Sequence, residues 1–319
     1  MIALITKLVS FMTALVCTIV PFVGYSAERP DDIQLNVAMI SDTHIDERLP
    51  LGQLMLASGL EDMSRNQTPN DAVLIAGDMT NYGNIEAVEA FYNVMKKHSP
   101  YAQWVIAPGN HDIGHVEDFT HDEARQWLID LYNGYTGEET DKIYYSKDIK
   151  GYTFIVLCDE SEDNWDSCDI YDEQIAFLDS ELQRATAEGK PAFVVCHWPV
   201  EGTNGQPIIY EDSGLDGEYS QKVQATLEKY ENVFFISGHM HAGINGRLVK
   251  EAFGFSCVET INGVTYVNLP TYDLVNRYGI PWNGMGMQME VYENEVVFRA
   301  RRYLVSRWYA FHEYEVPLV

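Results

Sequence analysis

Six short apolar runs constrain this chain more than any other feature: LNVAMI (35–40), DAVLIAG (71–77), AQWVIAPG (102–109), YTFIVL (152–157), PAFVVC (191–196) and NVFFISG (232–238). They are rich in Val, Ile and Phe and do not strictly alternate, which predicts strands covered on both faces. Helical patterns lie between many of them: 51–66 and 84–98 follow the first two runs, and 171–189 and 218–230 precede the last two. The segment 171–189 has an acidic start, Arg184 late and Gly189 as a C-cap, as the helix dipole favours. Beyond residue 250 the pattern changes. Asn262-Gly263 stands between two strand-like runs, and MGMQMEVYENEVVFRARRYLV predicts a second hairpin turning at Glu293-Asn294. No repeat or low-complexity linker divides the chain. The expectation is an α/β fold in one domain over 28–319, with helix-covered sheets and an antiparallel, β-rich part over 250–319.

The ends of these runs share a chemistry. They lead into Ser41-Asp42-Thr43-His44, Gly77-Asp78-Met79-Thr80-Asn81, Gly109-Asn110-His111-Asp112, Cys196-His197-Trp198 and Gly238-His239-Met240-His241. A lone His-x-His is more often structural than metal-binding, but five such ends are a pattern. In an extended chain residues i and i+2 point the same way, so Asp42 can act with His44 and His239 with His241, while Cys196 points away from His197 into the core. Open α/β sheets gather groups at the carboxyl ends of neighbouring strands into one crevice. Glycines before Asp78, Asn110 and His239 let the backbone turn sharply there. Imidazoles, carboxylates and one amide, with no thiolate, suit Mn(II), Fe or Zn better than Ca or Mg. The groups exceed what one tetrahedral ion needs, which predicts two divalent transition-metal ions sharing a carboxylate.

The ordered set Asp-x-His, Gly-Asp-x-x-Asn, Gly-Asn-His-Asp, a lone His and Gly-His-x-His, spread over residues 42–241, resembles the calcineurin-like metallophosphoesterases. That resemblance implies a two-sheet αββα sandwich, here with antiparallel C-terminal hairpins. It implies that Asp42, His44, Asp78 and His241 hold one metal, and that Asp78 bridges to a second held by Asn110, His197 and His239. His111 becomes the catalytic histidine, with Asp112 orienting its ring. The purple acid phosphatases of this family carry a tyrosine three positions after the bridging aspartate. Asn81 stands there instead, so a purple Fe(III)–tyrosinate site is not expected.

The N-terminus reads as an export signal. Lys7, the apolar run LVSFMTALVCTIVPFV and small residues at Gly24, Ser26 and Ala27 predict a signal peptide over 1–27, with an uncleaved anchor as the alternative. The expected location is therefore periplasmic or extracellular, and no later run is long enough to span a membrane. Asp and Glu number 48 against 21 Lys and Arg, for a formal net charge of −27. Such a chain is repelled by nucleic-acid polymers and anionic lipid, so a small phosphoester is the expected partner. Cys158, Cys168, Cys196 and Cys257 show no CxxC spacing, and a Cys158–Cys168 bridge is left open. The acidic stretch 158–173 lacks the glycine and spacing of a calcium loop and reads as solvated. His98 reads as a helix-dipole residue, His115 and His121 as loop residues, and His312 is unassigned.

For the chemistry, two metals about 3.5–4 Å apart bind phosphoryl oxygens and lower the pKa of a bridging water from about 15.7 toward about 7. The resulting hydroxide attacks phosphorus in line, and His111 helps the leaving oxygen depart. Residues 198–221 contain no Lys or Arg, and 77–115 contain only Lys96 and Lys97. Trp198, Tyr210, Tyr272 and Trp282 offer apolar or stacking surface, with core or rim packing as the alternative for any one of them, whereas Arg247 or Arg277 reaching the pocket would argue the other way. A cation-poor, aromatic rim predicts a phosphodiesterase. A phosphomonoesterase is the alternative on the same site, and a non-catalytic metal-binding module is the alternative from another class. The module is disfavoured because no ligand, nor His111, is missing.

Overall fold

All six apolar runs become strands. A computed structural model describes residues 32–319 apart from 66–68, 101, 114–118, 163–165, 207, 212, 216, 245–249, 252, 276 and 278–283. The first half contains β1 (Leu35–Ile40), α1 (Pro50–Ser64), β2 (Ala72–Ala76), α2 (Ile85–His98), β3 (Gln103–Ala107), the one-turn α3 (Asn110–Ile113), α4 (His121–Thr136), β4 (Tyr145–Ile149) and β5 (Tyr152–Val156). The short β6 (Ser167–Cys168), α5 (Asp172–Thr186), β7 (Ala192–Val195), β8 (Gly214–Leu215), α6 (Gly217–Leu227) and β9 (Val233–Ser237) follow. The chain ends in β10 (Val258–Ile261), β11 (Val264–Asn268), β12 (Met285–Val291), β13 (Glu295–Arg302) and β14 (Arg307–Pro317).

Two six-stranded sheets result, ordered β14-β13-β12-β1-β2-β3 and β10-β11-β9-β7-β5-β4. β1, β2 and β3 run parallel, as do β5, β7, β9 and β11, so their carboxyl ends face one way. The sequence lacks alternation because each central strand is buried on both faces. Val37, Leu74, Val105, Phe154, Phe193 and Phe234 belong to the core between the sheets, whereas their chain neighbours Ala38, Val73, Ile106, Ile155, Val194 and Phe235 pack in the outer core with Phe91, Leu178 and Val223 of the helices. A ladder of rings binds the layers. Phe154 meets Phe193 at 5.2 Å, Phe193 meets Phe234 at 5.4 Å, and Phe234 meets Phe298 of the other sheet at 5.8 Å.

Both C-terminal hairpins form. Asn262 and Gly263 both take positive φ (50° and 87°), the twist a two-residue turn requires. Val291 pairs with Val296 around Glu293-Asn294. Three elements carry weak sequence signals. β4 is a half-exposed edge strand, β14 is an outer strand with charged residues interleaved, and α4 opens at a capping box between Thr120 and Glu123. His121, read as a loop residue, is the first residue of α4, and its Nδ1 lies 3.1 Å from the Ser161 carbonyl. His98 closes α2 and also pairs with Glu61 at 3.2 Å.

The acidic stretch 158–173 is not simply solvated. Asp159 is buried and accepts hydrogen bonds from the Ser161 hydroxyl and the Asp169 amide, both at 2.7 Å. The Gln174 side chain ties both backbone groups of Cys158 to α5 at 2.9 Å. Cys158, Cys168, Cys196 and Cys257 are all buried and free. Among the described residues no helix is long and apolar enough to cross a membrane. Residues 1–27, His115, Arg247 and Trp282 lie outside the described residues.

His312 on β14 is buried with no partner for Nδ1, and burial lowers its pKa from 6.5 to about 4. The folded state therefore binds this proton less readily than the unfolded chain. Its contribution to stability is complete above pH 6.5 and is lost as pH falls toward about 4, a change on the order of 3 kcal/mol. Urea unfolding of wild type and His312→Leu across that window should show a steeper acid loss in wild type. Parallel curves would mean that His312 is not desolvated.

Candidate metal centre

Every strand-end block named from the sequence arrives at one edge of the sandwich. Two groups form there: Asp42, His44, Asp78 and His241, and Asp78, His197 and His239, with the ligand atoms of each group within 4.8 Å of one another. Asp78 belongs to both. Asn110 joins the second group, its Oδ1 lying 3.1 Å from His239 Nδ1.

The local backbone explains the convergence, and it is not the pleat of an extended strand. β1 has ended before Asp42, and β9 before His239. Asp42, His44, Asp78, His239 and His241 all adopt positive φ (57°, 44°, 50°, 65° and 50°). That region is sparsely allowed to residues with a Cβ and costs about 1–3 kcal/mol each. The i, i+2 pairs therefore share a centre through left-handed kinks. The glycines also differ from expectation. Only Gly77 has positive φ (92°). Gly109 and Gly238 are needed for space, because a Cβ on Gly109 would lie 2.2 Å from Asp78 Oδ1 and one on Gly238 would lie 1.9 Å from Ser41 Oγ.

Hydrogen bonds outside the groups fix which atoms face inward. His197 Nδ1 donates to the Ala76 carbonyl at 2.7 Å, presenting Nε2 3.2 Å from Asp78 Oδ2. His239 Nε2 donates to the Asp166 carbonyl at 3.1 Å, presenting Nδ1 3.3 Å from His197 Nε2. A carbonyl only accepts, so each ring's tautomer is set. The His111 amide donates to Asp78 Oδ1 at 3.0 Å, leaving Oδ2 toward His197 and toward His44 Nε2 at 3.8 Å. His44 Nε2 and His241 Nε2 face each other at 3.0 Å.

These donors fit divalent metal. Asp42 is fully buried, and neither carboxylate oxygen receives a hydrogen bond. His241 Nε2 is 3.0 Å from Oδ1 but lacks hydrogen-bond direction. A buried carboxylate without donors is strongly disfavoured unless a cation neutralises it. Burial pushes Asp78 up, yet His197, His111 and His44 outweigh it and hold the carboxyl well below its ordinary range. Burial lowers His44 to about 3 and, with the His197 charge, depresses His239, so both rings are neutral ligands. Burial opposes a charge on His197 as well, but Asp78 and Asp42 raise it to about 10. The pocket thus attracts positive charge from its own side chains.

Two expectations change. His111 Nδ1 meets the Asn81 carbonyl at 2.9 Å, so the group orienting its ring is a backbone oxygen and not Asp112. The Asp112 carboxylate instead accepts from the amides of Met79 (3.1 Å), Thr80 (2.9 Å) and Gly109 (2.9 Å) and from the Thr80 hydroxyl (2.9 Å). It ties the loop after β2 to the loop after β3, a positioning role. Of the proposed rim aromatics, Trp198 and Tyr272 are core residues. Tyr210 alone among those described stacks on a ligand ring, His239, at 5.4 Å. Backbone partners such as the Asn81 and Asp166 carbonyls leave no side-chain signature for sequence reasoning to find. The segment after β11 also enters: the Tyr272 amide donates to the Ser41 carbonyl (2.8 Å) and the Asp273 amide to the Asp42 carbonyl (3.1 Å).

A family model described as calcineurin-like phosphoesterase matches residues 35–243. Among solved structures the chain is similar to a dimetal phosphatase from Danio rerio, with 14% identity, TM-score 0.64, and coverage of 90% of this chain and 100% of that one. It is also similar to a purple acid phosphatase from yellow lupin (Lupinus luteus) seeds, with 13% identity and TM-score 0.58, covering 89% of this chain and 53% of that one. At these identities the likeness shows the fold, the two-sheet sandwich. A search of curated proteins finds no match.

Supplied with Mn(II), Fe or Zn, the purified protein should carry close to two ions per chain by elemental analysis. Asp78→Ala should lose both together, because its Oδ2 faces both groups. A single ion at saturating metal would refute the shared carboxylate.

Proposed function

The chain belongs to the calcineurin-like phosphoesterase family, and from that premise we propose that it hydrolyses small phosphoesters at a dinuclear divalent-metal centre. The observation that carries this reading is the pair of ligand groups sharing Asp78, with His111 at their side. Asp42, His44, Asp78 and His241 would hold one ion, and Asp78, Asn110, His197 and His239 the other. Bound there, two divalent ions would supply charge for the phosphoryl oxygens and lower the pKa of a water. The rest falls to the chain. Nδ1 of His111 already carries a proton, donated to the Asn81 carbonyl, so Nε2 can give a proton only when the ring is imidazolium. The His111 amide is held by the shared Asp78, which keeps the ring beside both groups. His111 thus suits the role of acid toward the leaving alkoxide, and its T-shaped contact with His44, at 4.7 Å, fixes the ring against the first group. Export is part of the proposal and rests on the sequence of 1–27.

The finer reading is the class of ester. A diester preference is supported by the absence of Lys and Arg from 198–221 and by the placement of Lys96 and Lys97 in the last turn of α2, far from the Asn84 cap that follows the β2 ligand loop. A phosphomonoester is the second reading, favoured by one observation: the Arg277 guanidinium lies over Tyr210. With one metal held constant, kcat/KM on bis(p-nitrophenyl) phosphate should exceed that on p-nitrophenyl phosphate. A monoester preference across several metals would sink the diester reading and leave the phosphoesterase intact.

His111→Asn should keep both metals and lose turnover by about 10²–10⁴-fold on an alkyl ester, whose leaving group needs the proton. Loss on a p-nitrophenyl ester should be much smaller. Equal losses on both substrates would remove the acid role and leave phosphate positioning.

A further inference from the structure

Arg277 lies beside the ligand groups but belongs to no part of the motif. Its guanidinium carbon is 3.1 Å from the centre of the Tyr210 ring, which itself stacks on His239 at an interplanar angle of 27°. Its Nε donates to the Met240 carbonyl at 3.1 Å, and its backbone N–H to the His241 carbonyl at 3.3 Å. The segment that carries two ligands therefore fixes both ends of this side chain. An exposed arginine otherwise keeps most of its rotamer freedom. Here much of that freedom has been given up, although the residue is exposed.

Its charge is equally unusual. Acidic residues outnumber basic ones 48 to 21, and Arg48, Arg65, Arg125, Arg184, Arg299 and Arg301 each pair with a carboxylate. Among the described residues Arg277 pairs with none. A guanidinium placed over a ring carries its terminal N–H groups as a fork that suits an oxyanion. Pinning such a group costs conformational freedom with no ion pair gained in return.

We propose that Arg277, held over Tyr210 and by the Met240 carbonyl, is a substrate-binding residue that receives a second oxyanion of the substrate, beyond the oxygens taken at the metal centre. This rests on the phosphoesterase reading. The second oxyanion has two chemical sources, the extra charged oxygen of a phosphomonoester or an acidic group on the organic part of a diester. The face of Tyr210 that Arg277 covers is closed to stacking by the ester.

The test compares metal-loaded wild type, Arg277→Met and Arg277→Lys on three probes: p-nitrophenyl phosphate, bis(p-nitrophenyl) phosphate, and a p-nitrophenyl phosphodiester whose second alcohol bears a carboxylate. Binding of inorganic phosphate is measured alongside by calorimetry. Arg277→Met should lower kcat/KM at least ten-fold more on one of the charged probes than on bis(p-nitrophenyl) phosphate, mainly through KM, at unchanged metal content. Arg277→Lys should recover part of that loss. Selective loss on the monoester, with weaker phosphate binding, identifies the phosphoryl oxygen. Selective loss on the carboxylate diester identifies the organic group. Equal loss on all three probes, or none, with unchanged phosphate affinity overturns the proposal. Wild type that binds phosphate through Arg277 yet turns over none of the probes would instead overturn the phosphoesterase reading.

Discussion

A buried carboxylate with two neighbourhoods governs how this sandwich is finished at its functional edge. Asp78 directs Oδ1 to the His111 amide and Oδ2 to histidines from both ligand groups. For that to happen, five strand ends must approach within van der Waals contact, which removes the Cβ from Gly77, Gly109 and Gly238. It also requires five ligand residues to sit in left-handed backbone. Strain of that kind persists only where the surroundings over-determine it. Here the parallel strands on both sides and the Asp112 carboxylate, bridging the β2 and β3 loops, do so.

Much of this was legible in the residues. The strands were readable because burial on both faces leaves continuous apolar runs, and the grouping of the candidate ligands was readable because Asp, Asn and His at strand ends have few structural uses. The reason for their convergence was not, since left-handed φ leaves no mark on an Asp or His that a strand end would not also leave. Partners that are backbone carbonyls, at Asn81 and Asp166, were equally invisible. Trp198 and Tyr272 misled because an aromatic residue near a ligand looks the same in sequence whether it lines a rim or fills a core. β4 and α4 escaped because a half-exposed edge strand and a mostly polar helix mix polar and apolar residues too evenly. The Asp-rich stretch 158–173 suggested solvation, yet Asp159 is buried, because Ser161 and the Asp169 amide satisfy it locally.

Charge is distributed against the grain of the composition. The chain as a whole is strongly acidic, but its acids at the site are candidate metal ligands, and a carboxylate would cease to repel once a cation shared it. The arginines follow the same division. Arg48, Arg65, Arg125, Arg184, Arg299 and Arg301 are matched by carboxylates, including the buried pair of Arg301 with Asp62 at 2.7 Å, while Arg277 is matched by a π face and two carbonyls.

The ligand groups draw on both layers of the sandwich. Asp42, His44, Asp78 and Asn110 follow strands of one sheet, and His197, His239 and His241 follow strands of the other. Elsewhere the two layers are joined mainly by apolar contact such as Phe234 on Phe298, which is non-directional and tolerates sliding, with a few hydrogen bonds such as those of the Tyr145 hydroxyl to Ile106. Coordination is directional and does not. An ion at this edge would act as a rivet, fixing the angle between sheets that hydrophobic packing only approximates. The mechanical stiffness of the molecule would then be graded from a fastened edge to a merely packed one. Loading metal would be a step in maturation of the fold as much as in arming the site, coupling the two by mass action.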